Sequence, residues 1–197
     1  MTLETPTLPP TVEAAGSGRR LGAADLGPRL GWVAGLTLIA VVLQVTVMPY
    51  IRVAEGVPDI VVALGVAVAV LRGTLVGAVT GFAAGLLVEL TAPVGTLGVL
   101  ALLYLAVGAW CGRYTERPEA ASLRVPLALV VGAATFVQLG YAATQLLLGT
   151  EVSGSWAVGR VILPSVCLTA LLGPPVLLVV RRLLGEPRVV EPYMLPR

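Results

Sequence analysis

Gly73-Thr74-Leu75-Val76-Gly77-Ala78-Val79-Thr80-Gly81-Phe82-Ala83-Ala84-Gly85-Leu86-Leu87-Val88-Glu89 is the stretch whose reading decides the fold. Its glycines Gly73, Gly77, Gly81 and Gly85 recur every fourth residue and fall near one face at helical period. In water such a row costs helix stability. In lipid it lets two helix backbones approach closely. The stretch reads as a buried transmembrane helix built for close packing and ending on one carboxylate. The row can pack on a helix of the same chain or on the single span of a partner, and both readings stand at this point.

The rest of the chain agrees with lipid as the solvent. Hydrophobic residues make up 57% of the 197 and charged residues 12%, where a soluble domain is nearer a quarter charged. The mean hydropathy is +0.93. Every basic residue is arginine, with no lysine and no histidine. That composition excludes Schiff-base and phosphate-loop lysines, Ser-His triads and histidine metal sites. Cys111 and Cys167 sit in apolar runs and read as small core residues. No metal site or cofactor is expected.

Working outward from the glycine row, residues 1–29 are rich in Thr, Pro, Ala and Gly without helical period and read as a disordered cytoplasmic tail. The first apolar run begins too far into the chain for a secretory signal peptide. Apolar runs cover residues 30–48, 57–71, 74–90, 95–111, 125–148 and 161–180. A span takes about 20 residues, usually about 17–25, and the run 57–71 is short at about 22 Å if helical. Charge decides whether it crosses. With six spans and the N-terminus inside, Arg19, Arg20, Arg29, Arg72, Arg113, Arg117, Arg124, Arg181, Arg182, Arg188 and Arg197 are cytoplasmic, and two, Arg52 and Arg160, are outside. Fusing the second and third runs buries Arg72 and leaves eight arginines outside against four inside. The positive-inside rule therefore favours six spans with both termini cytoplasmic. This gives a six-helix transmembrane domain over 30–182, a short cytoplasmic tail over 183–197, and a multi-pass location in the cytoplasmic membrane.

Ionisable groups next to hydrocarbon are costly and tend to face the bundle interior or one another. Asp59, after Pro58 at the outer start of the second span, Glu89 at the outer end of the third, and Arg160 before the sixth are candidates for an outer-face polar cluster. The plainer reading is that Asp59 is a helix N-terminal acid favoured by the dipole, and that all three reach water at the headgroups. The middle of each span carries no charge, which argues against a proton relay. Gln44, Gln138 and Gln145 read as amides bonding across helices, or as the wall of a small polar pocket. Trp32, Trp110, Trp156 and Tyr50 read as interface anchors. Pro164 and Pro174-Pro175 interrupt the last span and read as fixed kinks, with a hinge as the alternative.

Taken in order, these features resemble a known family. Leu43-Gln44-Val45-Thr46 ends the first span, followed by Pro58-Asp59-Ile60-Val61, Leu71-Arg72-Gly73 and Gly77 to Leu90. Then come Gly95, Gly98, Tyr104, Val107-Gly108-Ala109-Trp110-Cys111-Gly112-Arg113, Leu163-Pro164-Ser165, Pro174-Pro175 and Arg181-Arg182. Over residues 40–185 the chain resembles the rod-shape-determining protein MreD family. It departs in having Glu89 where the family usually has aspartate, and Leu168-Thr169 where it often has Tyr-Asn. The second departure removes an amide that could bond across helices.

The resemblance implies a non-enzymatic subunit of the cell-wall elongation complex in the bacterial cytoplasmic membrane. Its implied partners are an MreC-like bitopic protein, a shape-class glycosyltransferase with its penicillin-binding protein, and an MreB-like filament on the cytoplasmic side. Membrane lipids surround it, and no nucleic acid is involved. The implied fold is all-α, six transmembrane helices arranged like the substrate-binding subunits of energy-coupling-factor transporters. That likeness also supplies the rival reading, a vitamin-capturing subunit, for which Asp59, Gln44, Gln138 and Tyr141 are the pocket candidates.

Overall fold

The second apolar run, Ile60–Arg72, is apolar on every side, and a helix of that kind has to be enclosed by others. The computed structural model, which describes residues 23–91, 97–115, 124–149 and 158–185, places it at the centre of a helical bundle. The helices are α1 (Ala23–Thr46), α2 (Ile60–Arg72), α3 (Thr74–Thr91), α4 (Val99–Thr115), α5 (Arg124–Leu147) and α6 (Leu163–Leu184). A 3-10 turn, Met48–Tyr50, follows α1, and a π-helical turn, Val158–Ile162, leads into α6. Among the described residues the only strand-like pairing is one bridge between Val53 and Gly56.

All six apolar runs form helices, but not all at span length. Four stretches are long and apolar enough to cross a membrane: Leu30–Tyr50, Thr74–Thr91, Val125–Leu147 and Gly159–Leu184. α2 and α4 are shorter apolar helices. For α2 the reason is local. Residues 57–59 run into the bundle without helical hydrogen bonds, and Pro58 holds Val57 away from helical geometry. Helix starts only after Asp59, whose side chain accepts from Val62 N–H at 3.0 Å as an N-cap. It ends at Gly73, whose φ of 88° closes the turn into α3. α1 begins at Ala23 rather than at Leu30, so the last residues of the expected tail are helical.

α2 touches α1, α3, α4, α5 and α6, and Val61 to Leu71 are all buried. The neighbours alternate in direction. Gly77 lies against Gly108 and Gly85 against Ala101, so α3 and α4 are antiparallel. Gly140 meets Leu103 and Gly132 meets Trp110, so α4 and α5 are antiparallel too. Asp59 sits beside Thr169, and Arg72 Nη2 donates to the Leu184 carbonyl at 2.8 Å, so α2 runs parallel to α6. The C-terminal ends of α2, α4 and α6 therefore share one end of the bundle, with Arg72, Arg113, Arg181 and Arg182. Arg52 and Arg160 are at the other end.

The glycine row is filled from within the chain. A Cβ at Gly77 would lie 2.6 Å from the Ala69 Cβ, and one at Gly85 would lie 2.6 Å from the Ala101 Cα. At Gly81 it would collide with the Tyr104 carbonyl. Gly73 stands apart as the α2–α3 turn. The row is therefore a seam between α3 and its own neighbours, not a face open to a partner. Pro164 falls where the π-helical turn passes into α6, and the Arg160 carbonyl four residues before it accepts from Glu55 N–H instead. Pro174 and Pro175 are inside α6 as expected. Cys111 is buried, but Cys167 is exposed and is not a core residue. Trp32, Trp110 and Tyr50 point outward. Gly95, Trp156, Arg19, Arg20, Arg117, Arg188, Arg197 and most of both tails lie outside the described residues.

Candidate functional site

Buried backbone outside a helix has to find other hydrogen-bond partners, and at membrane depth this is tolerated only where protein or a cavity surrounds it. The segment before α2 meets that demand with side chains from two helices. From α1, Gln44 Nε2 donates to the Pro58 carbonyl at 3.1 Å, while its Oε1 accepts from Ile60 N–H at 2.9 Å. From α6, Ser165 Oγ accepts from Val57 N–H at 3.0 Å and Thr169 Oγ1 accepts from Asp59 N–H at 2.9 Å. The Thr169 hydroxyl in turn donates to the Ser165 carbonyl at 2.7 Å. Gly56 lets the chain pass close to α6: a Cβ there would be 2.6 Å from the Ser165 nitrogen.

This arrangement places Asp59 about six residues' rise below the start of α6, roughly 9 Å into the bundle at 1.5 Å per residue. One carboxylate oxygen caps α2; the other accepts from the Tyr104 hydroxyl of α4 at 2.6 Å. Glu89 of α3 is buried and caps a different helix. Its two oxygens accept from Gly98 N–H at 2.8 Å and Leu100 N–H at 2.6 Å, at the start of α4. The helix dipole favours negative charge there. Both carboxylates are therefore held by donors already present in the fold.

Between them lies a cavity of about 280 Å³ with an open mouth, lined by Gln44, Asp59, Glu89, Tyr104, Gln138 and Tyr141 among polar residues and by Val57, Val88, Leu100 and Val137. The volume is near the lower end for small-molecule pockets. Two carboxylates, two amides and two phenols give it hydrogen-bonding capacity without a basic group. Arg160 does not join Asp59 and Glu89: it is exposed, lies in the π-helical turn, and uses its backbone carbonyl to accept from Glu55 N–H at 3.2 Å. Two of the three expected cluster residues thus line one cavity, and the third is exposed in the π-helical turn. Gln145 bonds along its own helix to Tyr141 at 3.3 Å. Among the described residues no group of three or more Cys, Asp or Glu could hold a metal ion.

In comparisons with known proteins, no family model, no curated protein and no solved structure matches the chain.

Sequence reasoning missed Ser165, Thr169 and Gly56, and did not pair Tyr104 with Asp59. Thr169 stands where an amide seemed to have been lost, yet its hydroxyl makes the cross-helix bond. The available signal was the i, i+4 spacing of Ser165 and Thr169 on one helix face.

Proposed function

We propose that this chain is a non-enzymatic, MreD-like subunit of the cell-wall elongation complex, crossing the bacterial cytoplasmic membrane six times with both termini cytoplasmic. Its work is lateral. It docks the single span of an MreC-like protein and, through it, the glycosyltransferase and penicillin-binding transpeptidase. The alternating helix directions and the gathering of arginines at one end support the six-span arrangement.

One observation carries the docking role. With the α3 row filled by α4, the open small-residue face is on α1. Gly31 and Gly35 are exposed, and a Cβ at either would meet nothing within 4 Å. Leu38, Ile39 and Val42 extend that outward face along the helix. Small residues four apart with branched neighbours suit a close helix–helix crossing in lipid. The test is co-purification from detergent-extracted membranes with an MreC-like protein. Gly35→Leu is expected to abolish capture while the purified chain keeps its thermal unfolding profile. Unchanged capture by Gly31→Leu and Gly35→Leu would reject α1 as the docking face.

A second reading has its own observation. Gln44, Asp59, Gln138 and Tyr141, the pocket residues named for a vitamin-capturing subunit, line one cavity. A small metabolite retained through purification and identified by mass spectrometry, together with ATPase subunits in the eluate, would favour that reading over the scaffold.

A further inference from the structure

A second cavity lies in the seam between α5 and α6. It holds about 150 Å³ and is lined by Pro126, Leu127 and Val130 of α5, Gly173, Pro174, Leu177 and Leu178 of α6, and Ala63 of α2. Its walls are apolar. It opens where Pro174 and Pro175 leave α6 short of backbone donors and Gly173 lacks a side chain against Val130.

What stands at its end gives the crevice a specific occupant. Arg181 is one turn beyond Leu177, and Arg182 is one turn beyond Leu178, so each arginine continues a stripe that lines the crevice. Arg181 is half-buried and Arg182 exposed, and one helical turn leaves both within a side chain's length of the crevice lining. Among the described residues neither makes an ion pair. Arg72, at the same end, is held to the Leu184 carbonyl instead. We infer that this crevice is a binding site for an anionic phospholipid, one acyl chain lying in the α5–α6 seam and the phosphate bridged by Arg181 and Arg182. The site needs the chain to lie in a membrane and does not depend on the docking role of α1 or on the Asp59 cavity. Paired guanidinium groups bind phosphate by parallel N–H bonds, and a basic site between helices at the arginine-rich end suits an anionic headgroup. An apolar crevice without charge at its mouth would not discriminate among lipids.

The test uses the full-length protein in mild detergent with an equimolar mixture of phosphatidylglycerol and phosphatidylcholine, read by native mass spectrometry. The wild type is expected to retain phosphatidylglycerol over phosphatidylcholine by roughly 10- to 30-fold. The Arg181→Gln/Arg182→Gln double variant is expected to retain the two equally. Leu178→Trp, which fills the crevice and leaves both charges, is expected to lose the bound phosphatidylglycerol. Equal retention of the two lipids by the wild type overturns the proposal whatever the variants do. So does undiminished retention by a folded Leu178→Trp protein. Binding of glycerol-1-phosphate as tight as that of the lipid would overturn the role of the seam.

Discussion

Tyr104 of α4 and Asp59, the N-cap of α2, come from elements that do not follow each other in sequence, and a hydrogen bond of 2.6 Å joins them. Removing one partner of a bond to a charged group costs about 1.5–3 kcal/mol. Tyr104→Phe is therefore expected to lower the unfolding free energy by about that much, read by thermal or chemical unfolding in detergent. Thr169→Val has the same shape but leaves the Asp59 N–H without its acceptor. A buried donor left unsatisfied costs about 1–3 kcal/mol, and Thr169→Ser is expected to restore most of the loss. The two carboxylates were visible in the sequence because charge next to hydrocarbon is rare and calls for an explanation. Their partners were not. A helical threonine ordinarily bonds back to the carbonyl four residues earlier, as Thr169 does to Ser165. The i, i+4 spacing of Ser165 and Thr169 marks a polar face on α6, but not that the same hydroxyl also accepts from Asp59 N–H. Arg160 misled for the converse reason: its place before the last helix was right, but it is exposed in a π-helical turn that leaves no pattern in the residue types.

At the scale of helices, the close pairing of α3 and α4 depends on glycine at the points of contact. A methyl at Gly81 would meet the Tyr104 carbonyl, and backbone cannot yield as a side chain can. Overpacking of this kind costs about 1–3 kcal/mol. Gly81→Ala is expected to destabilise by that amount and Gly81→Leu to abolish recovery of folded protein, read by monodispersity on size-exclusion chromatography. Gly35→Leu meets open space and is expected to leave both measurements unchanged. The helix types and order were legible because apolar runs bounded by Gly, Pro and Arg leave few alternatives. The length of α2 was not. The run 57–71 looks uniform, but Pro58 and the Asp59 cap make its first residues extended backbone, and the helix itself is 13 residues, about 20 Å. The choice between a seam inside the chain and a face for a partner was also undecided in the sequence, since glycine spacing is the same in both. The two helices differ in what lies opposite, which only the fold supplies.

For the whole molecule, the described helices alternate in direction around α2 and place Arg72, Arg113, Arg181 and Arg182 at one end. Charge counting reached the same division without knowing which helices touch. The lateral role and the lipid site both require this bundle to sit across a bilayer with that end toward the cytoplasm. Cysteine labelling tests it most directly. In a background with Cys111 and Cys167 replaced by alanine, Arg52→Cys and Arg113→Cys are introduced singly, both at exposed positions. They are treated in intact cells with a membrane-impermeant maleimide. Arg52→Cys is predicted to react in intact cells, and Arg113→Cys only after permeabilisation. Reaction of Arg113→Cys in intact cells would contradict the six-span arrangement.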